Sequence, residues 1–265
     1  MSYISIQHLW KKYGDKVVLE NISVDVQKGE FVTIVGASGC GKTTFLRMLL
    51  GEESPSKGTF KLEDEEWPSE PDKTRGVVFQ RYSVFPHLTA LKNVLLALEL
   101  PKARITGRLF GAARAEAKMK AKEMLESVGL GNALNKYPHE LSGGMQQRLA
   151  LAQALIANPC VLLLDEPFGA LDPGIRADMH ELVMRLHRDL NLTVFMITHD
   201  LSEAFKLGTR LFVFDRVRHD PHAQDAYGAK ITYDIPLKKK DRHSLNQLTD
   251  LPPLRQMRDN VTAAL

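Results

Sequence analysis

Apolar positions along the chain fall into short runs that alternate with longer amphipathic stretches. Strand-like runs occupy residues 3–9, 17–26, 31–35, 76–80, 160–165, 193–198 and 211–214. Helical spacing covers 43–51, 89–99, 111–128, 144–157, 174–190 and 201–207. Phe31-Val32-Thr33-Ile34-Val35 and Val161-Leu162-Leu163-Leu164 are continuous rather than alternating, the pattern of strands buried on both faces. Strands interleaved with helices predict an α/β core with a mostly parallel sheet. Residues 89–157 break this rhythm, with helices and almost no strand pattern, which predicts a helical subdomain inserted into the core. Residues 215–229 predict a surface loop, Ile231 to Ile235 a short strand, and 236–265 a polar tail.

Composition narrows the class. The 265 residues suffice for a sizeable core, and 44% hydrophobic with 25% charged residues excludes a disordered chain. A net charge of +3 is too small to imply a nucleic-acid partner. Two cysteines, Cys40 and Cys160, exclude a disulfide framework and read as small packing residues in a reducing compartment. No run approaches the ~18 apolar residues that span a bilayer, and the N-terminus lacks a basic-then-apolar signal. The expectation is a cytoplasmic protein whose membrane role, if it has one, passes through a partner.

Candidate chemistry gathers at the ends of the two continuous runs. Gly36-Ala37-Ser38-Gly39-Cys40-Gly41-Lys42-Thr43-Thr44 follows the first run and precedes the helical Phe45-Leu46-Arg47-Met48-Leu49-Leu50. Strand, glycine-rich turn, Lys-Thr and helix is the P-loop arrangement. Its glycines let backbone N–H groups converge on phosphate oxygens, and the helix N-terminus adds partial positive charge. Lys42 can reach the β and γ phosphates, and the Thr43 hydroxyl suits Mg²⁺. The second run ends in Asp165-Glu166-Pro167, at the strand edge where α/β sheets place ligands. Acids ending a strand in solvent would look the same in isolation. Beside a P-loop, Asp165 suits Mg²⁺ through water, and Glu166 suits the base that polarises an attacking water. Leu141-Ser142-Gly143-Gly144-Met145-Gln146-Gln147-Arg148 opens another helix with Ser and two glycines, a second anion-binding N-terminus. One nucleotide does not need two such ends from one chain, which points to a site completed by a second subunit.

These stretches occur in order with Gln80 after Val77-Val78-Phe79, Gly169-Ala170-Leu171-Asp172 and Ile197-Thr198-His199-Asp200. Together they resemble the ATP-binding subunits of ABC transporters, from about Tyr3 to about Arg216. The resemblance implies a P-loop NTPase (RecA-like) core with N-terminal antiparallel strands and a helical subdomain at about 89–157. The ATPase domain would span 1–235, with 236–265 as a C-terminal tail. It implies ATP and Mg²⁺ as cofactors and a head-to-tail homodimer enclosing two ATP molecules. Gly36, Ser38, Gly39, Cys40, Gly41, Lys42, Thr43 and Thr44 would hold phosphate and Mg²⁺ on one subunit. Ser142, Gly143 and Gly144 would reach the γ-phosphate from the other. Gln80 would sense Mg²⁺ and the attacking water, Asp165 would hold the metal, Glu166 would be the catalytic base, and His199 would contact the γ-phosphate. Asp172 would lie at the dimer seam, and Tyr13 would stack on adenine.

The same resemblance implies a membrane permease docking near Gln80 to Thr89, where Tyr82, Val84, Phe85 and Leu88 are apolar for a loop. A substrate-binding protein would act indirectly, no nucleic acid is expected, and the location would be the cytoplasmic face of a plasma membrane, such as a bacterial inner membrane. More narrowly, Phe79 to Thr89, Asp165 to Asp172 and Ile235 to Arg242 resemble the nitrate, sulfonate and taurine importer ATPases. Importers of other solutes share the Phe-Gly-Ala-Leu-Asp stretch. Two segments depart from the family pattern: 101–114 is long for its connection, and 217–229 looks like an insertion. Seven Lys/Arg against one acid in 102–122, and Lys238-Lys239-Lys240, read as solvated faces. The expected function is an ATPase that drives solute import. An exporter or lipid-handling ATPase shares the same catalytic motifs. A soluble ABC ATPase acting on nucleic acid would need a coiled-coil insertion, zinc cysteines or a second cassette.

Overall fold

The computed structural model describes residues 2–63, 65–68, 70–79, 84–102, 108–218, 225–237 and 254. Along the chain run β1 (Ile4–Tyr13), β2 (Lys16–Val26), β3 (Phe31–Gly36), α1 (Lys42–Leu50), β4 (Lys57–Leu62) and β5 (Glu65–Glu66). There follow β6 (Arg75–Val78), α2 (Ala90–Lys102), α3 (Gly111–Ser127), α4 (Gly143–Leu155), β7 (Val161–Asp165) and α5 (Pro173–Asp189). The series closes with β8 (Thr193–Ile197), α6 (Leu201–Leu207), β9 (Arg210–Asp215) and β10 (Lys230–Pro236). Each run expected from the apolar pattern coincides with one of these elements, its ends moved by a few residues.

Two compact units divide the chain. The first joins residues 1–72 to 190–265. In it β1 pairs antiparallel with both β2 and β4, while β3 lies parallel between β8 and β9, with β10 antiparallel on β9. All six residues of β3 are buried, as its continuous apolar run requires. Phe45 of α1 packs over this strand, its ring centroid 5.3 Å from Phe214 and 6.5 Å from Phe195. Burying such a ring contributes roughly 1.5–3 kcal/mol, so α1 is fixed against the two strands that flank β3, those carrying Phe195 and Phe214. Tyr13 ends β1 opposite Lys16, at the tip of the β1–β2 hairpin.

The second unit spans 73–189. Here β6 and β7 pair in parallel, with Arg75 opposite Val161 and Val78 opposite Leu164. A Cβ on Gly76 would lie 2.5 Å from the Ala154 carbonyl oxygen, so only glycine lets α4 approach β6 this closely. Ala117, Ala121 and Leu125 form the buried stripe of α3 at helical spacing.

Three features differ from the sequence expectation. The hairpin of β4 and β5 was not anticipated, because only Phe60 of Lys57–Leu62 is buried and the rest looks like polar loop. The expected surface loop 215–229 is not all surface: residues 225–229 pair with the outer edge of β2, and Ala229 is fully buried. Leu254, inside the expected polar tail, is fully buried against Val35, Ala204, Leu211 and Val213. In both cases a single small or apolar residue finds a covered surface that composition averages away.

Candidate functional site

The glycine-rich turn between β3 and α1 is shaped by contacts that leave no room for side chains. A Cβ on Gly36 would stand 2.2 Å from the Phe214 carbonyl oxygen, and one on Gly41 would stand 2.8 Å from Leu19 Cδ2. Gly41 also takes φ +92°, a left-handed conformation, as it opens α1. Ala37, Ser38 and Gly39 form the exposed tip, while Cys40 tucks inside. Burial pushes the Cys40 thiol up from its ordinary value, against a smaller opposing pull from the Lys42 charge. It therefore stays a neutral packing group.

Lys42 is buried, and its Nζ donates to the carbonyl oxygens of Gly36 and Ala37, each at 2.8 Å. The loop thus curls around its own ammonium group, the charge a phosphate would meet. Helix α1 has no side-chain cap and no acid in its first turn. Its first N–H groups have no intrahelical acceptor, and nothing nearby on the helix opposes an anion.

Tyr13 and Thr44, expected to serve adenine and phosphate respectively, are brought close: Thr44 is among the polar groups that act on the Tyr13 phenol. That phenol donates to Glu53 Oε2, Lys11 Nζ sits 3.1 Å from the same carboxylate oxygen, and Arg47 Nη1 lies 3.7 Å from the other oxygen, Oε1. Lys11 Nζ also lies 4.9 Å from the Tyr13 ring centroid, and the ring remains 47% exposed. Glu53 and Lys11 were missed from sequence, because their meeting depends on the end of β1 converging with the turn after α1.

His199 is exposed on the loop from β8 to α6, which is pinned on either side. Thr198 N donates to Ile34 O at 3.2 Å, and the Thr198 hydroxyl bonds buried Glu203 at 2.5 Å. Asp200 then caps α6, accepting from Ser202 N and Glu203 N.

In the second unit, Asp165 ends β7, and Glu166 takes φ +50°, an uncommon conformation for a residue with a side chain. Such backbone costs of order 1–3 kcal/mol and persists where neighbours hold it, often at functional sites. Phe168, almost fully buried, anchors the turn that follows, its ring 5.0 Å from His180. Asp172 is exposed just before α5, its carbonyl accepting from Arg176 N at 2.8 Å. Ser142 N-caps α4, accepting from Met145 N at 3.3 Å; Ser142 and Gly143 are exposed, and Gly144 is buried against Ile175.

Gln80 lies outside the described residues, as do Arg81, Tyr82 and Ser83. The described part of that segment is organised by a residue not anticipated, fully buried Asn93. Its Nδ2 donates to the carbonyls of Phe85, Leu88 and Thr89, and its Oδ1 accepts from Phe85 N at 2.7 Å. The Phe85 ring is left 41% exposed. An asparagine one turn into a helix was the available sequence signal.

Chemically, the first unit offers a cradle for phosphate oxygens. Of the three residues expected at a metal, Gln80 lies outside the described residues, while Thr43 in the first unit and Asp165 in the second carry hard oxygen donors of the kind Mg²⁺ takes alongside water and phosphate. No helix among the described residues is long and apolar enough to cross a membrane.

Comparison with known proteins agrees with this chemistry. The family described as ABC transporter matches residues 19–169, more than half of the chain. The spermidine/putrescine import ATP-binding protein PotA of Bacillus cereus is 40% identical over 215 residues, covering 80% of this chain and 63% of that protein. The PotA of Nitrosospira multiformis is 39% identical over 218 residues, covering 82% and 58% respectively. The chain therefore spans less than two thirds of these relatives' own length. Among solved structures, a dimeric ATP-binding cassette in a post-hydrolysis state with ADP and Pi superposes with a TM-score of 0.69 at 29% identity, over 89% of this chain and 99% of that one. The ADP conformation of an ATP-binding cassette of an ABC transporter gives a TM-score of 0.80 over 97% and 98%, and at 20% identity it speaks for the fold alone.

Proposed function

The chain belongs to the ABC transporter family, and on that premise we propose that it is the ATP-binding and hydrolysing subunit of a solute importer, powering a separate membrane permease. The observation that carries the proposal is the loop before α1, which closes on buried Lys42 and leaves the helix start without a cap or an acid. In this reading Gly36, Ser38, Gly39, Cys40, Gly41, Lys42, Thr43 and Thr44 bind the phosphates of ATP, and Tyr13 stacks on adenine. Thr43, and Asp165 through water, would hold Mg²⁺, which when bound would neutralise charge developing on the phosphates. Glu166 accepts a proton from the attacking water at its carboxylate, with Gln80 orienting that water and His199 contacting the γ-phosphate.

Ser142, Gly143 and Gly144 reach the γ-phosphate of a second copy in a head-to-tail dimer, whose seam includes Asp172. The exposed start of α4 supports that role. The permease docks near Gln80 to Thr89, with Phe85 held outward by Asn93, and a substrate-binding protein delivers solute to it. The subunit is peripheral, at the cytoplasmic face of the membrane. On solute, the two relatives compared above are named for spermidine and putrescine import, while residues 79–89 and 165–172 resemble nitrate, sulfonate and taurine importers. Both readings share a small charged solute. The proposed architecture places the ATPase domain at 1–235, with the helical subdomain at about 89–157.

The test is Glu166→Gln. Turnover of ATP falls by roughly 10²-fold or more while ATP binding persists, the scale of general-base catalysis. Hydrolysis at the wild-type rate would remove Glu166 from this role.

A further inference from the structure

Residues 217–229, which depart from the family pattern, lead to a backbone segment that seals the edge of β2. Val17 N donates to Asp225 O, Ala229 N to Val18 O and Glu20 N to Ala229 O, each at 2.9 Å. The approach is so close that a Cβ on Gly228 would stand 2.9 Å from the Leu19 carbonyl carbon. This explains why Val17, Val18, Leu19 and Glu20 are all buried on what would otherwise be an open edge strand.

The fourth of these residues is a carboxylate, only 5% exposed. Glu20 Oε1 receives Arg218 Nη2 and stands 3.3 Å from Lys230 Nζ, while Oε2 accepts from Gly228 N at 3.3 Å. The Arg218 guanidinium lies over the Tyr227 ring at 4.6 Å. Arg218 lies near the start of the 217–229 segment and Lys230 directly follows its end. On its other side the same stretch of β2 supports the phosphate loop: Leu19 Cδ2, Val18 Cγ1 and Val18 O are the three atoms that crowd Gly41 at the start of α1.

We propose that Glu20 is a positioning residue for the phosphate loop: by gathering Arg218 and Lys230 it locks the 225–230 segment onto β2 and so holds Val18 and Leu19 against Gly41. This rests on reading that loop as the nucleotide site. Loosening the lock shifts the backbone that binds phosphate without touching the residues that activate water. Binding therefore suffers more than chemistry.

The experiment compares wild-type full-length protein with Glu20→Gln, Arg218→Met and Arg218→Lys. It measures ATP affinity by displacement of a fluorescent ATP analogue, KM and kcat for ATP, and the urea midpoint. Glu20→Gln and Arg218→Met each weaken affinity and raise KM about fivefold, with kcat changed less than about twofold. Combined, they do no more than either alone, because both break one cluster. Arg218→Lys restores most of the affinity. A lowered urea midpoint with unchanged affinity and KM overturns the proposal, since Glu20 would then stabilise the fold only. If Glu20→Gln fails to fold, Arg218→Met, at a half-exposed cation, carries the same test. Wild-type protein that binds no ATP would overturn the functional reading and this inference with it. Wild-type binding that Lys42→Ala abolishes and Glu20→Gln leaves untouched sinks this inference alone.

Discussion

Gly41-Lys42-Thr43-Thr44 and Ser142-Gly143-Gly144-Met145 both open a helix with small residues, yet α1 starts inside its unit and α4 starts at a surface. At α1 the lysine is buried and bonded to two loop carbonyls, and no side chain caps the helix. At α4 the exposed Ser142 accepts from Met145 N, so the helix satisfies one of its own donors, and Gly143 is exposed beside it. Glycine is also used differently. Gly36 and Gly41 are excluded from carrying a side chain by Phe214 O and Leu19 of the first unit's own core. Gly144 is excluded by one methyl group, Ile175 Cγ2, which a Cβ would meet at 2.4 Å. The first helix start is formed around a cation that faces inward, and the second is a face offered outward. In the proposed function the first holds a nucleotide and the second completes the site of another copy.

The largest expected effect separates the two. Lys42→Ala lowers ATP affinity by about 10²-fold, through loss of charge-assisted bonds to phosphate. Ser142→Arg leaves the affinity of the single chain unchanged and abolishes hydrolysis. Mixing the two proteins then restores part of the ATPase activity, because each mixed dimer has one intact composite site. Unrestored activity in a mixture shown to dimerise would break the outward role of α4.

A middle-sized effect tests what confines Gly144. Gly144→Ala lowers unfolding stability by roughly 1–3 kcal/mol through overpacking against Ile175. Adding Ile175→Ala to the same chain recovers most of that loss in urea unfolding. No recovery would mean that the backbone, and not this methyl group, sets the requirement.

The smallest effect belongs to the surroundings of α1. Burial raises the Glu53 carboxyl, but hydrogen bonds from Tyr13 and Lys11 and the charges of Lys11 and Arg47 outweigh it, so the group titrates below the ordinary glutamate range. Its contribution is complete above the unfolded-state value and is lost as pH falls through the folded one. The Tyr13 phenol is raised, first by burial and then by Glu53, so its part is present below its ordinary range and lost at alkaline pH. Tyr13→Phe therefore lowers stability near neutrality by less than about 1 kcal/mol, given its exposure, and the difference closes in acid, once pH has fallen through the lowered Glu53 value. Urea midpoints at neutral and acid pH decide it; a difference that persists at low pH means the pair is not its source.

The phosphate loop was legible because its parts are contiguous: strand, turn and helix start lie within Phe31 to Leu50, and local geometry follows from local chain. The positions of Asp165, Glu166 and Ser142 at element ends were legible for the same reason, each adjoining a continuous apolar run or a helical pattern. Asn93 was not, because its value lies in three carbonyls of a turn that folds back on it. Glu20 reads as an ordinary polar position of an alternating strand until Arg218 and Lys230 arrive from chain some 200 residues away.

The apolar runs, glycine spacing and charged strand ends by themselves determined the α/β order of elements, the glycine-rich turn that opens α1 and the acids at the end of β7. These depend on dihedral preferences and burial patterns that a residue shares with its near neighbours. Only the tertiary structure decided that Phe214 O forbids a side chain at Gly36, that Leu254 closes the core beside Ala204, and that the 225–229 segment covers β2. Those outcomes depend on which distant surfaces meet. Close packing makes each meeting specific to atoms whose partners no local pattern names.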